Sequence, residues 1–157
     1  MGPLQSNKAR RALETFAVIE TVDSIALAER LDRLAGELQP ARRVPVLLQV
    51  NVDADAAKAG VAPADLAEVA EGVTRLKHLD LRGLMTVGRL VDRPEDARPT
   101  FSALRAASER LRRGGSTLGA ELSMGMTDDF EIAIEEGATI VRVGRALFGE
   151  RPHGHPQ

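Results

Sequence analysis

The run Val44-Pro-Val-Leu-Leu-Gln-Val-Asn-Val52 constrains this chain more than any other. Almost every position is apolar, so a strand here must be covered on both faces, as in a parallel sheet flanked by helices. The neighbouring segments agree with that reading. Phe16 to Asp23 reads as a strand whose end carries an N-cap signal, Asp23 or Ser24. Leu27, Ala28, Leu31, Leu34, Ala35 and Leu38 then recur at helical spacing until Pro40. A loop from Asp53 to Pro63 leads to an amphipathic helix through Leu66, Val69, Ala70 and Val73. Leu79 to Val87 is a third strand, and Pro94 to Arg113 a second long helix stopped by Gly114-Gly115. From Glu121 to Gly149 the pattern is strand, polar glycine loop, short helix, β-branched strand and a second glycine loop. Five strands in strict alternation with helical segments argue for parallel βαβ units. Such units place the polar strand ends near Asp23, Asn51, Thr86, Ser123 and Val143 on one side, where α/β proteins build their sites.

The last two loops carry the strongest chemical signal. Backbone N–H groups at Ser123–Thr127 and at Gly144–Arg145 are positioned by this pattern to converge on one anion, with Arg142 supplying full charge. A lone turn glycine is usually only a turn. Two glycine loops on successive strands, with an arginine between them, favour anion binding. Asp128 and Asp129 do not extend this into a metal site. They fall in the first helical turn behind Thr127 as N-cap, where negative charge meets the positive helix end, and a phosphate would require them to point away. Asn51 and Thr86 end strands and are candidates to line a pocket.

Composition narrows the function classes. A net charge of -2 and the absence of Trp and Tyr argue against nucleic-acid binding, and no cysteine is available as nucleophile or thiolate ligand. No apolar run reaches the ~18 residues of a membrane span, and the first residues do not read as a signal peptide, so a cytoplasmic location is expected. The basic residues include only three lysines, Lys8, Lys58 and Lys77. Lys58 reads as a solvated loop residue on the mouth side, and Lys77 belongs at the opposite end of the sheet. The stretch 151–157, with His153 and His155, reads as a disordered tail without further metal ligands. Residues 1–150 form the expected single domain, and no metal is expected.

Several motifs together resemble one family. Gly2-Pro-Leu-Gln-Ser-Asn-Lys8 is similar to the Gly-x-Leu-Gln-x-Asn-Lys signature of the pyridoxal phosphate homeostasis proteins. Leu122-Ser-Met-Gly-Met-Thr-Asp-Asp129 resembles their phosphate loop, and Arg142-Val-Gly144 their final strand end. Gln49-Val-Asn51 and Leu81-Arg-Gly-Leu-Met85 fall in order at fitting spacing. The resemblance implies an alanine-racemase-like (β/α)8 barrel of the TIM type holding pyridoxal 5'-phosphate at its C-terminal mouth, with a role in vitamin B6 homeostasis and no established reaction. It assigns the phosphate to Ser123, Gly125 and Thr127 with backbone groups at Gly144 and Arg145, and the pyridine nitrogen to Arg142, while Asn51 remains a strand-end candidate for the cofactor pocket. An arginine at that nitrogen keeps it unprotonated and weakens the ring as an electron sink.

A full barrel of this type takes ~250 residues. The expectation is therefore a partial barrel of about five parallel strands, with the first three βα units missing. In the family those units carry the lysine that attaches the cofactor, and none of Lys8, Lys58 or Lys77 matches its motif. The resemblance then implies a cofactor-binding protein of this family that holds pyridoxal phosphate non-covalently and is not catalytic. The alternatives are a partial barrel completed by a partner, or a fragment without function. Open sheet edges would favour self-association.

Overall fold

In the computed structural model, residues 2–149 are described. The stretch 151–157, including the His153 and His155 pair, lies outside them. After a 3-10 turn at Ser6–Lys8 come α1 (Ala9–Thr15), β1 (Ile19–Val22), α2 (Ile25–Leu38), β2 (Val44–Gln49), α3 (Leu66–Thr74) and β3 (Leu79–Met85). A second 3-10 turn, Pro94–Ala97, leads into α4 (Arg98–Arg113), β4 (Glu121–Met126), α5 (Phe130–Glu135), β5 (Ile140–Arg142) and the single turn α6 (Arg145–Phe148). The five strands form one sheet in sequence order, β1 to β5. Every neighbouring pair is parallel. The α/β class expected from the alternation is therefore the class observed.

Local chemistry explains where the elements begin and end. Ser24 caps α2 by accepting the Leu27 N–H, and the helix stops two residues before Pro40. Arg98 and Pro99 open α4, where the missing proline donor costs nothing. The second strand is shorter than its apolar run, because beyond Gln49 the chain turns into a loop that returns at Val61 to form an isolated parallel bridge with Val50.

The core lies between the sheet and its helices. Leu27, Leu31, Leu66, Val73, Phe101 and Leu104 from the helices meet Val46, Leu48, Leu81, Leu84 and Leu122 from the strands. Removing each such large side chain from water stabilises the fold by about 1.5–3 kcal/mol. Strand residues alternate across the sheet, so Leu47 and Met85 point to the other face, where they are buried outside that core cluster. A flat sheet would hold β1 and β4 roughly 14 Å apart, three strand spacings. Yet Ser123 of β4 hydrogen-bonds Glu20 of β1 at 2.7 Å. The sheet must curl to bring them together. The result is a half-barrel whose concave face carries Glu20, Leu47, Met85 and Ser123, and among the described residues β1 and β5 each have one strand neighbour.

Candidate functional site

The C-terminal ends of β4 and β5 bound a cleft of about 370 Å³, lined by Thr127, Asp128, Arg142, Gly144, Arg145, Leu90 and Phe148 among others. Four residues expected at the site, Thr127, Arg142, Gly144 and Arg145, therefore share one wall. The N–H groups of Asp128, Gly144 and Arg145 find no acceptor among the described residues. An ideal Cβ built on Gly144 meets nothing within 4 Å, so the backbone there stands open to a ligand. A larger cleft of about 500 Å³ lies between α3 and the end of α4. Those helix ends lead into the starts of β3 and β4, the face of a parallel sheet that α/β proteins leave without chemistry.

Arg142 is anchored beneath this wall. Its Nη1 donates to Ser123 Oγ and its Nη2 to the Thr86 carbonyl, each at 2.7 Å. Thr86 is itself fixed by donating its hydroxyl to the Val50 carbonyl at 2.9 Å. Burial pushes the Arg142 pKa below its ordinary value, while the negative charges of Glu20 and Asp129 act in the opposite direction. The guanidinium stays cationic at any pH the fold experiences, because its starting point is so high.

Three residues expected at the site also make contacts of their own. Gly125 does lie in the left-handed region, at φ 90°. Its missing side chain, however, makes room for α5: a Cβ there would stand 2.5 Å from Ala133 Cβ and 3.0 Å from Phe130 Cα. Its glycine is demanded by helix packing. Asn51 spends its side chain on its own loop, with Nδ2 donating to the Asp55 and Lys58 carbonyls and Oδ1 accepting the Asp55 N–H. Ser123 is fully buried and, among the described residues, is joined to the cleft wall by the Arg142 hydrogen bond.

The aspartate pair also departs from expectation. The helix begins later than expected, so Asp129, not Thr127, is the N-cap residue of α5, and its carboxylate turns back to accept the Met126 N–H at 2.6 Å. Asp128 does not point away. It sits on the rim of the cleft and is paired with Arg145, an ion pair that joins the β4–α5 loop to α6. Lys58 was expected to be solvated, but its Nζ is buried, lacks a hydrogen-bond partner among the described residues, and lies 3.9 Å from Asp55. It lines a smaller adjoining cleft of about 240 Å³ with Leu90, Met126, Asp128 and Asp129.

Glu20 is the functional candidate that sequence reasoning passed over. The signal was present: a carboxylate within Val18-Ile-Glu-Thr-Val22, an otherwise uncharged strand sequence. Such a residue needs a partner, and here it finds Ser123.

Comparison with known proteins bears on the family and the fold. The family model described as alanine racemase, N-terminal domain, matches residues 1–152. A pyridoxal phosphate homeostasis protein of Pseudomonas aeruginosa is 45% identical, aligned over 99% of this chain and 65% of its own length. One from Aquifex aeolicus is 40% identical, over 98% of this chain and 66% of its own length. The chain thus spans just under two thirds of these curated relatives. Among solved structures, PipY of Synechococcus elongatus PCC7942 with PLP bound superposes with a TM-score of 0.86 at 44% identity, covering 95% of this chain and 68% of PipY. Alanine racemase of Clostridium difficile 630 shares the fold alone, with a TM-score of 0.77 at 17% identity over 97% of this chain and 39% of the racemase. The alternating sheet, the matched length and the paired glycine loops lead to one assignment: the chain belongs to the alanine racemase N-terminal domain family, alongside the pyridoxal phosphate homeostasis proteins.

Proposed function

We propose that this chain binds pyridoxal 5'-phosphate non-covalently in the cleft at the ends of β4 and β5, and that it serves vitamin B6 homeostasis as a carrier without catalysis. The observation that carries this reading is the wall of donors on two loops: the backbone N–H groups of Asp128, Gly144 and Arg145, which find no acceptor among the described residues, beside an open Gly144 and two arginines. A phosphate dianion offers acceptors without donors, so it complements this wall. Thr127 and Arg145 stand at the rim to hold the phosphate, while Arg142 sits deeper to meet the ring. When bound, the cofactor supplies an electron-withdrawing ring and a reactive aldehyde. The chain's own residues bind and orient it. Arg142 cannot deliver a proton to the ring nitrogen, which suits storage better than vigorous amino-group chemistry.

Titration with pyridoxal phosphate, followed by absorbance and competed by inorganic phosphate, tests the reading. Saturable binding that phosphate displaces is expected. Borohydride reduction followed by peptide mass spectrometry tests the non-covalent part. Lys58 is the lysine that lines a cleft beside the site, so a stoichiometric adduct on Lys58 would overturn it.

A second reading is favoured by a separate observation. With β1 and β5 each paired on one side only among the described residues, and with Phe16, Leu147 and Phe148 exposed, the half-barrel presents open ladders beside apolar surface. A partner polypeptide, or a second copy, would then complete the sheet. Sedimentation at several concentrations separates the two readings: a monodisperse monomer that still binds the cofactor supports the first alone.

A further inference from the structure

Ser123 carries a single hydroxyl proton, and its neighbours decide where that proton goes. Arg142 has no acceptor atoms, so the 2.7 Å contact between Nη1 and Ser123 Oγ has the arginine donating. The hydroxyl's own proton is then committed to Glu20 Oε2, also at 2.7 Å. The order Arg142, Ser123, Glu20 is therefore fixed in direction and spans β5, β4 and β1. Because Ser123 is fully buried and its proton is spent, it has none to offer an anion in the cleft. The second anchor, Thr86 O at 2.7 Å, holds the other Nη nitrogen. Together these contacts fix the plane of a guanidinium that lines the cleft wall.

We infer that Glu20 is a positioning residue for the ring end of the cofactor site: by accepting the Ser123 proton it orients Ser123 as an acceptor, which fixes the Arg142 guanidinium over the cleft. Ser123 belongs to this relay and not to the phosphate cradle. The inference rests on the cofactor reading for its consequence, but the relay itself exists without ligand. Glu20 also supplies negative charge near a buried cation, so its loss would free Arg142 to turn toward other acceptors. A glutamine at position 20 keeps an acceptor oxygen in the same place, whereas an alanine removes it.

The test uses the whole chain, two probes and one ligand-free measurement. In Glu20→Ala, affinity for pyridoxal phosphate should fall about tenfold, while inorganic phosphate, held by the separate cradle, should bind within about twofold of the unmodified chain. Glu20→Gln should recover most of the loss. Ser123→Ala should resemble Glu20→Ala, and the double variant should be no worse than either single change, because both break one relay. The absorption maximum of the bound cofactor should shift in Glu20→Ala, since its ring no longer faces a fixed cation. Without ligand, side-chain NMR of Arg142, assigned by Arg142→Lys, should show hindered guanidinium rotation that is lost in Glu20→Ala and kept in Glu20→Gln. An Arg142 signal unchanged by Glu20→Ala overturns the inference whatever the ligand results. Equal loss of inorganic phosphate and cofactor in Ser123→Ala, with additive effects, also overturns it and returns Ser123 to the cradle. If neither probe binds the unmodified chain while the NMR change occurs, the relay stands and the cofactor reading falls.

Discussion

The loop after β2 and the loops after β4 and β5 occupy the same side of the sheet, yet they treat their polar groups in opposite ways. The 51–60 segment closes on itself. Asn51 clamps Asp55 and Lys58, Gln49 Nε2 donates to the Ala59 carbonyl at 2.8 Å, and Asp55 Oδ1 accepts the Ala57 N–H at 2.9 Å. Asp53 binds outward to Thr100 and to the Arg89 N–H, tying the loop to its neighbours. The N–H groups of Asp128, Gly144 and Arg145 have no acceptor among the described residues. Backbone donors are rarely left unpaired without water or a ligand to meet them. A polar strand end thus marks either a self-satisfied loop or a binding loop, and only the destination of its hydrogen bonds distinguishes them.

The two glycines of the binding loops provide the sharpest way to break this comparison. Gly125 is held at φ 90° against α5, so Gly125→Ala meets both a disfavoured backbone and a collision with Ala133 and Phe130. The expected loss is about 2–5 kcal/mol from left-handed strain plus overpacking, a large part of a typical domain's stability. Thermal melts should show a drop of roughly 4–20 °C. A variant that melts like the unmodified chain would show that α5 does not pack as described.

Gly144 should behave in the reverse manner. With nothing within 4 Å of a built Cβ and φ at −118°, Gly144→Val should leave stability within about 0.5 kcal/mol. Its branched side chain would enter the cleft, so phosphate and pyridoxal phosphate affinity should fall tenfold or more, roughly 1.4 kcal/mol. Unchanged titrations would remove the β5 loop from the cradle. Together the two substitutions separate a glycine needed for packing from one open to a ligand.

How much of this was legible beforehand depended on the range of the interaction. The parallel class followed from the local pattern of apolar runs and helical periodicity, and those patterns survive in the fold. Thr127, Arg142, Gly144 and Arg145 were also legible, since adjacent loops on adjacent parallel strands must be neighbours. The role of Gly125 was not, because the demand for glycine comes from Ala133, whose approach depends on how α5 docks. Glu20 was harder still. Its partner lies 103 positions away, and only the curl of the sheet brings them together. The loop contacts of Asn51 were not legible either, because an asparagine at a strand end serves a loop or a ligand equally well until its neighbours are known.

Asn51 offers the milder test of the self-satisfied loop. Asn51→Ala removes three hydrogen bonds and exposes the loop to fraying, with an expected cost of about 1–2 kcal/mol. Cofactor affinity should remain within about twofold, because the side chain is turned toward its own loop. A selective loss of affinity with unchanged stability would return Asn51 to the binding site.

The smallest expected effect concerns the scaffold that holds α5 behind the cradle. Arg98, at the start of α4, pairs with Glu95, with Glu135 at 2.5 Å and with Glu136 at 2.9 Å, so it joins α4 to the end of α5. The hydrogen bond from Arg98 holds the Glu95 carboxyl below its ordinary pKa, and the three carboxylates hold the Arg98 guanidinium above its own. For Glu95, a depressed pKa in the folded state means its stabilisation is present above the ordinary carboxylate range and is lost as pH falls through the lowered value. Glu95 is exposed, so solvent screens most of that contribution, as it does for surface ion pairs generally. Arg98→Ala should therefore lower the melting temperature slightly at neutral pH, and the difference from the unmodified chain should vanish as pH drops below the carboxylate range. Because the pairs end on α5 and not on the glycine loops, phosphate binding should keep its affinity wherever the variant is folded. A loss of phosphate binding at neutral pH, without a change in melting, would mean that α5 steers the cradle and that scaffold and site cannot be treated apart.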